Sequence, residues 1–319
     1  MKRIVVTEPI DRCGIDLLAS EADVVYLPEL EGRTLEGEIG QADGLVVRVA
    51  GVGKNLIDQA PCLKVIAKHG VGHDNIDVEA ASLRRIPVVY TPYANVESVA
   101  EHIVALMLAL ANRVCCADRY LRQGTFRTRE DYVGVELQGK KLGLVGIGRT
   151  GAEAARKCRA AFDMEVIAYD PYAGRDRIEG QGYRRVGRLE ELLADADWVM
   201  VCVPLSEETR GMIGQEGLRR MKPGAFLVNT ARGHIVDEVA LEQALRQGQI
   251  AGAAMDVFAE EPPHKDHPLL SLDNFVATPH VAGATEESMR RMATELADEV
   301  LRVLRGEKPL SCVNPEIYD

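Results

Sequence analysis

Short apolar runs alternate with segments of helix length along almost the whole chain. In the first ninety residues such runs fall at 3–6, 23–26, 44–48, 64–67 and 87–90. Strands that alternate with helices pair in parallel, because each helix carries the chain back to the same edge of the sheet. This part of the sequence therefore predicts a small doubly wound parallel sheet.

A second series of apolar runs follows, at 141–146, 165–169, 198–203, 225–229, 252–256 and 275–279. Each run is almost wholly apolar, which is typical of parallel strands that helices cover on both faces. The fold class predicted from the two series is α/β, with two doubly wound parallel-sheet domains.

The segment between the two series has helical periodicity. Its apolar residues are Val96, Val99, Ile103, Leu106, Met107 and Leu110. Asn95 is suited to cap the helix that this spacing predicts. The apolar face either belongs to the core or helps to form a homodimer, and the periodicity does not decide between the two. Another helix, at about 285–305, follows the last strand, and we expect it to return to the first domain.

Composition and charge exclude several classes of protein. A net charge of −11 argues against a nucleic-acid partner, because nucleic-acid surfaces need a basic field. The seven cysteines form no C-x-x-C pair, which indicates reduced thiols and neither a disulfide framework nor a zinc site. The first ten residues lack a signal-peptide core, and the apolar stretch at 103–111 is too short to cross a bilayer. We expect a cytoplasmic protein without a membrane partner.

A glycine-rich turn joins the first strand of the second series to a helix. Gly146, Gly148 and Gly151 form G-x-G-x-x-G, in which the first two glycines allow a tight turn and a close approach to pyrophosphate. The helix N-terminus supplies N–H groups to the anion. Asp170 ends the next strand, where an acid accepts hydrogen bonds from a ribose and repels a 2′-phosphate. The motif predicts binding of NAD rather than NADP.

Charged residues follow three later strands of the second series. Arg232 comes after 225–229, Asp256 and Glu261 lie at or after the end of 252–256, and His280 comes after 275–279. Ligands of open α/β sheets bind at the carboxyl ends of the strands. Arginine grips a carboxylate in a bidentate manner, and histidine is suited to transfer a proton near neutral pH. Taken alone, Arg232 is also compatible with a surface salt bridge.

Five segments, in this order, resemble the D-isomer-specific 2-hydroxyacid dehydrogenase family. They read KHGVGHDNIDVEAA, VGIGRTG, NTARGHIVDEVALEQAL, GAAMDVFAEEPP and TPHVAG. The similarity is strongest to the 3-phosphoglycerate dehydrogenase and hydroxypyruvate/glyoxylate reductase branches. The resemblance implies a flavodoxin-like substrate (catalytic) domain at 1–97 and 287–319, into which an NAD-binding Rossmann domain at 98–286 is inserted.

The resemblance also implies the roles of individual residues. Arg232 would bind the substrate, His280 would be the acid/base, and Glu261 would pair with His280. Asp256 would bind the nicotinamide carboxamide. The cofactor site would comprise Gly146, Gly148, Arg149, Thr150, Gly151, Asp170, Val203, Ala231, Asp256 and Gly283. The substrate would be bound by Arg48 and by the N–H groups of Val71 and Gly72.

The implied reaction is hydride transfer between NAD(H) and C2 of a D-2-hydroxy acid or 2-oxo acid. A 3-phosphoglycerate-like substrate is expected, whose distal anion Arg48 would bind, although Arg48 is equally compatible with binding the ordinary carboxylate. A hydroxypyruvate, glyoxylate or general 2-oxo acid reductase is the alternative, and an NAD(H)-sensing, corepressor-like interaction protein is the alternative of another class. The resemblance favours a homodimer. His69 and His73 flank a glycine-rich loop, and no metal is expected there. A regulatory ACT domain is not expected either, because the chain ends soon after the last helix.

Overall fold

The computed structural model describes residues 1–319 and divides them into two compact units. One unit comprises Met1–Asn95 and Ala284–Asp319, and the other comprises Val96–Gly283. The sequence places the two boundaries after residues 97 and 286. The assignment of one unit to the substrate and of the other to the cofactor stays a prediction.

Twelve strands and twelve α-helices make up the two units. The strands are β1 (Lys2–Val6), β2 (Ala22–Tyr26), β3 (Gly44–Val47), β4 (Val65–Lys68), β5 (Val88–Tyr90), β6 (Lys141–Val145), β7 (Glu165–Tyr169), β8 (Arg184–Arg185), β9 (Trp198–Val201), β10 (Phe226–Asn229), β11 (Gly252–Met255) and β12 (Phe275–Ala277). The helices are α1 (Arg12–Ala19), α2 (Leu35–Glu38), α3 (Lys54–Asp58), α4 (Val78–Leu83), α5 (Val96–Ala111), α6 (Val114–Arg122), α7 (Arg149–Phe162), α8 (Arg175–Glu179), α9 (Leu189–Asp195), α10 (Gln215–Arg220), α11 (Glu238–Arg246) and α12 (Glu286–Leu304).

The first unit is a five-stranded parallel sheet in the order β2-β1-β3-β4-β5. This is the flavodoxin-like order, and the prediction of a doubly wound sheet is confirmed. The last helix, α12, packs its apolar residues against Ile4 and Val65 on one face of this sheet. It crosses α1 at Gly14, where a Cβ would lie 2.7 Å from the Cβ of Ala293. A side chain larger than hydrogen would therefore force the two helices apart.

The second unit is a seven-stranded parallel sheet in the order β12-β11-β10-β9-β6-β7-β8. With β6 as its first strand, this is the Rossmann order, and here too the predicted fold class is confirmed. The sequence predicts six strands in this series and misses β8 at the sheet edge. The missed strand consists of Arg184 and Arg185, both exposed, so no apolar run marks it.

The segment between the two series forms two helices where the sequence predicts one. Helix α5 buries Ile103, Leu106 and Met107, and the chain then turns at Arg113, whose φ is +55°. Helix α6 starts at the next residue. No single helix is both long and apolar enough to cross a membrane; α5 and α6 pass that test only as a pair, with a 63° bend between them.

Candidate active site

The glycine-rich turn between β6 and α7 is closely packed against itself and against the chain that follows β9. Gly146 has φ +90°, and a Cβ there would lie 2.7 Å from the carbonyl oxygen of Cys202. A Cβ on Gly151 would lie 2.5 Å from the carbonyl oxygen of Gly146. Gly148 is the N-cap of α7 and has no side chain to cap the helix, so the N-terminus of α7 is not closed by a side chain of its cap residue. These features fit the diphosphate of a dinucleotide.

Asp170 lies next to this turn, just beyond the end of β7. Its Oδ2 accepts a hydrogen bond from the N–H of Ile147 at 3.0 Å. Its Oδ1 accepts from the N–H groups of Tyr172 and Ala173 at 3.0 and 3.1 Å. A carboxylate oxygen can accept two hydrogen bonds, so Oδ2 retains capacity for a further donor, such as a ribose hydroxyl.

The other predicted cofactor residues lie near the glycine-rich turn or at neighbouring strand ends. A Cβ on Gly146 would lie 2.6 Å from Cγ1 of Val203. Arg149 and Thr150 begin α7. The N–H of Ala231 donates to Oδ1 of Asn229, the last residue of β10. Gly283 follows the loop after β12 and ends the second unit.

Arg232 is positioned by the turn that follows β10. The side chain of the buried Asn229 donates from Nδ2 to the carbonyl oxygen of Arg232 at 2.9 Å. Arg232 donates from Nη1 to the carbonyl oxygen of Ala231 at 2.6 Å. At Gly233 a Cβ would lie 1.9 Å from the carbonyl carbon of Phe258. The turn carrying Arg232 therefore lies directly against the loop that follows β11.

That second loop brings Glu261 to His280. Oε2 of Glu261 lies 2.7 Å from Nδ1 of His280, and Oε1 accepts from the N–H of Phe258 at 3.0 Å. Burial alone raises the pKa of the Glu261 carboxyl, but the hydrogen bonds from His280 and Phe258 and the charges of His280 and Arg232 lower the pKa below its usual value. Glu261 is therefore a carboxylate at neutral pH, close to both Arg232 and His280.

The loop that carries His280 is fixed by Asp256. This carboxylate is 1% exposed. It accepts hydrogen bonds from the Thr278 hydroxyl at 2.6 Å and from the N–H groups of Val281 and Ala282 at 2.9 and 2.8 Å. The N–H of His280 donates to the carbonyl oxygen of Asp256 at 2.7 Å, and His280 adopts φ +54°. Residues other than glycine are uncommon in this left-handed region, so the loop is held in a demanding conformation. The contact predicted between Asp256 and the nicotinamide stays a prediction.

Two supporting residues of this unit escape the sequence analysis. His102, on α5, lies with Nε2 3.0 Å from the Thr278 hydroxyl oxygen. The Thr278 hydroxyl donates its only proton to Asp256, so it can only accept a hydrogen bond from His102. That hydrogen bond requires the neutral His102 ring to carry its proton on Nε2. Glu238 accepts from the N–H of Ala259 at 2.7 Å and steadies the loop of Glu261. Its place in the first turn of α11 gives no signal of this long-range contact.

In the first unit, the predicted substrate residues follow two adjacent strands. Arg48 comes directly after β3, and Val71 and Gly72 come soon after β4. These strands pair in parallel, with Val47 opposite Lys68, so the segments that follow leave the same edge of the sheet. The structure thus brings the three residues to one edge of the sheet, and their role in substrate binding stays a prediction.

His69, between β4 and this loop, is buried in the first unit. Its side chain is 3% exposed, and neither ring nitrogen has a hydrogen-bond partner. Burial, together with the charges of Arg48 and Lys68, lowers the pKa of His69 to about 4. The folded protein therefore keeps this imidazole neutral at pH values where the unfolded chain protonates it.

Acidification is expected to destabilise the first unit through His69. Between pH 6.5 and about 4 the unfolded state binds the proton and the native state does not, so stability falls as the pH falls. His69→Leu should remove about 1–3 kcal/mol of this acid-dependent loss in urea unfolding followed at about pH 7 and about pH 4.5. His264→Leu, at an exposed histidine, is the control. Equal pH dependence of wild type and His69→Leu would contradict this role.

The Rossmann strand order, the glycine-rich turn and the acid after β7 define a dinucleotide-binding protein of the dehydrogenase class. Residues 104–282 match the family model described as D-isomer specific 2-hydroxyacid dehydrogenase, NAD binding domain. The chain belongs to the D-isomer specific 2-hydroxyacid dehydrogenase family, and the resemblance drawn from its motifs is confirmed. NAD as the cofactor agrees with the matched domain.

Individual relatives and solved structures are similar to most of the chain. The D-3-phosphoglycerate dehydrogenase of Methanocaldococcus jannaschii is 43% identical over 315 residues, which cover 98% of this chain and 60% of that protein. The glyoxylate reductase of Korarchaeum cryptofilum is 44% identical over 265 residues, 82% of this chain and 79% of that protein. The crystal structure of the TT0316 protein from Thermus thermophilus superposes with a TM-score of 0.87 at 38% identity, covering 98% of this chain and 99% of that one. The chain thus spans about three fifths of the length of the phosphoglycerate dehydrogenase relative.

Proposed function

We propose that the protein is an NAD-dependent dehydrogenase of D-2-hydroxy acids, which also reduces the corresponding 2-oxo acids. The observation that carries the proposal is the 2.7 Å contact between Glu261 and His280. The contact lies beyond the ends of β11 and β12, and β11 pairs with β10, whose following turn carries Arg232. An acid/base, its partner and a carboxylate-binding cation are the groups that this reaction needs.

We assign the following roles in 2-oxo acid reduction. The bound nicotinamide supplies the hydride to the carbonyl carbon. Protonated His280 donates a proton to the carbonyl oxygen, and the Glu261 carboxylate orients the ring through Nδ1, which leaves Nε2 for the substrate. Arg232 binds the substrate carboxylate and polarises the carbonyl. We also assign the N–H groups of Val71 and Gly72 to substrate binding. In the reverse direction, neutral His280 accepts the proton of the hydroxyl.

Among 2-oxo acids, a substrate with a second anionic group is favoured. The match to a D-3-phosphoglycerate dehydrogenase extends over 98% of the chain and supports this choice. Arg48 adds support, because its guanidinium forms no ion pair within the protein and is available to a distal phosphate or sulfonate. The glyoxylate reductase relative supports the alternative, a reductase of smaller 2-oxo acids.

A substrate panel tests these proposals. The loss of NADH absorbance is followed with 3-phosphohydroxypyruvate, sulfopyruvate, hydroxypyruvate, glyoxylate, pyruvate and phenylpyruvate. The highest kcat/KM for the two doubly anionic acids would support the phosphoglycerate-like assignment, and the highest value for hydroxypyruvate or glyoxylate would support the alternative. NADH binding without turnover of any acid would contradict the enzymatic proposal and favour an NAD(H)-sensing protein.

We further propose a homodimer that works in the cytoplasm. All seven cysteines are free thiols, as expected in a reducing compartment. An apolar patch in and after α6, here called the α6 patch, supports the dimer; its exposed members are Val114, Leu121, Phe126 and Val133. A cavity of about 160 Å³ lies beside the patch and is lined partly by Leu110, Cys116, Val133 and Val135. Concentrated apolar exposure of this kind marks association surfaces.

A charge in the α6 patch is expected to weaken the dimer. Phe126 is 92% exposed, and Phe126→Asp should raise the dimer dissociation constant at least about tenfold, because an interface then has to bury a carboxylate. The mass is measured by light scattering after size-exclusion chromatography over a dilution series. Leu310→Asp, at a residue that is 80% exposed in the other unit, is the control. The assignment of the α6 patch is wrong if both variants keep the wild-type dissociation constant.

A further inference from the structure

A half-buried carboxylate outside the proposed catalytic set binds the backbone of the turn that begins at Arg48. The N–H of Arg48 donates to Oε2 of Glu8 at 2.7 Å, and the N–H groups of Val49 and Ala50 donate to Oε1, the former at 2.8 Å. Glu8 lies two residues beyond β1, the strand that pairs with β3. One carboxylate thus engages three successive N–H groups across the sheet edge.

The surroundings of Glu8 favour its charged form. Burial raises the pKa of its carboxyl, but the hydrogen bonds from the Thr7 hydroxyl and from the three N–H groups outweigh burial and leave the pKa below its usual value. The carboxylate therefore persists at neutral pH. Hydrogen bonds to a charged acceptor are about twice as strong as those between neutral groups, so the turn is firmly bound.

The carbonyl groups of the same turn are bound from the other side. Nζ of Lys68, the last residue of β4, donates to the carbonyl oxygen of Arg48 and to Oδ1 of Asn75, the latter at 2.8 Å. Nδ2 of Asn75 donates to the carbonyl oxygen of Ala50 at 2.6 Å. Lys68 is buried and Asn75 is partly buried. The N–H groups of residues 48–50 and the carbonyl groups of Arg48 and Ala50 are therefore bound by side chains from three other segments.

This network joins the two segments of the first unit that carry the proposed substrate residues. Lys68 and Asn75 bracket the loop of Val71 and Gly72, and both contact the 48–50 turn. Glu8 fixes that turn from the opposite side. These three anchors fix the backbone of the turn and therefore the position from which the Arg48 side chain extends.

We propose that Glu8 is a positioning residue for substrate recognition: by binding the N–H groups of residues 48–50, it orients Arg48 toward the distal anionic group of the substrate. This inference rests on the proposed function and adds a residue to it. The carboxylate is required because its two oxygens only accept hydrogen bonds. A glutamine would turn an NH2 donor toward N–H donors and release part of the turn.

The test compares Glu8→Gln with wild type on two 2-oxo acids, one with a distal phosphate and one without a distal group. The KM for 3-phosphohydroxypyruvate should rise about tenfold, the loss expected for one charge-assisted hydrogen bond, with kcat changed less than about twofold. The KM for glyoxylate should change less than about threefold. Glu8→Asp, which keeps a carboxylate, should recover part of the loss. Glu29→Gln, at an exposed carboxylate of the same unit, is the control for charge.

Equal losses with both acids, or a fall in kcat alone, would overturn the proposal, because a merely structural Glu8 affects every substrate alike. Hydrogen exchange provides a readout that does not depend on turnover. The amides of 48–50 should exchange at least about tenfold faster in Glu8→Gln, because one lost charge-assisted hydrogen bond corresponds to that factor. Unchanged exchange would also overturn the proposal. Absence of wild-type turnover with both acids would instead contradict the proposed function, and the exchange rates would still show whether Glu8 holds the turn.

Discussion

Replacement of His280 is expected to lower kcat for 2-oxo acid reduction by about 10²–10⁴-fold, the usual contribution of a general acid. The dissociation constant of NADH should stay within about threefold of the wild-type value, because the groups to which we assign cofactor binding, the glycine-rich turn and Asp170, do not include the histidine. His280→Asn tests the role of the imidazole more cleanly than His280→Ala does, because it disturbs the backbone less. His280 has φ +54°, and asparagine tolerates this conformation where alanine adds strain.

Stopped-flow reduction and fluorescence titration with NADH measure the two quantities for His280→Asn and His280→Ala. His264→Asn is the matched control, because His264 lies in the loop between Glu261 and β12 and is largely exposed. Its kcat should equal that of wild type. A rate for His280→Asn close to that of wild type would remove His280 from the chemistry, and a large loss of NADH affinity would indicate a role in cofactor binding.

Arg232→Lys is expected to lower kcat/KM for every 2-oxo acid by about 10²-fold or more. Lysine keeps the positive charge but loses the planar fork that binds a carboxylate through two hydrogen bonds. The turn around Arg232 is also fixed by Asn229, and the close approach of Gly233 to Phe258 leaves the backbone no room to compensate. A shorter, single-point donor cannot reach the geometry of the guanidinium.

Steady-state kinetics across the substrate panel measure this loss. Arg246→Lys is the control, since Arg246 is an exposed residue of α11 that pairs with Glu242. Its kcat/KM should match wild type. The expected loss applies to acids with and without a distal group, because the carboxylate is common to all of them. If only the doubly anionic acids were affected, Arg232 would serve the distal anion and not the carboxylate.

Most of the fold could be predicted from the sequence. Each strand of the two doubly wound sheets, apart from β8, is an apolar run bounded by turn residues, and such runs are visible without tertiary contacts. The strand β8 was missed because two exposed arginines at a sheet edge carry no apolar signal. The break between α5 and α6 was missed because Arg113, at the turn, is a good helix former that the tertiary structure forces into a left-handed conformation.

The candidate site residues could also be predicted from the sequence, because residues that follow parallel strands are brought to one edge of the sheet. Arg232, Glu261, His280, Gly146 and Asp170 follow that rule. The hydrogen-bond partners of these residues could not be predicted from the sequence. The use of both Asp256 oxygens by the loop of His280 is an example, because it depends on backbone N–H groups about twenty-five residues further along the chain.

The sequence by itself therefore determined the two parallel sheets and the dinucleotide motif, and it predicted the candidate reactive groups, because strand periodicity and strand-end positions are local properties. Only the tertiary structure decided how those groups are held. The tertiary structure binds the Glu8 carboxylate to the N–H groups of 48–50, hydrogen-bonds His102 to Thr278, and packs Gly233 against the backbone of Phe258. Each of these contacts joins segments between about 25 and 180 residues apart, and its existence depends on strand order and loop shape, which no short stretch of sequence encodes.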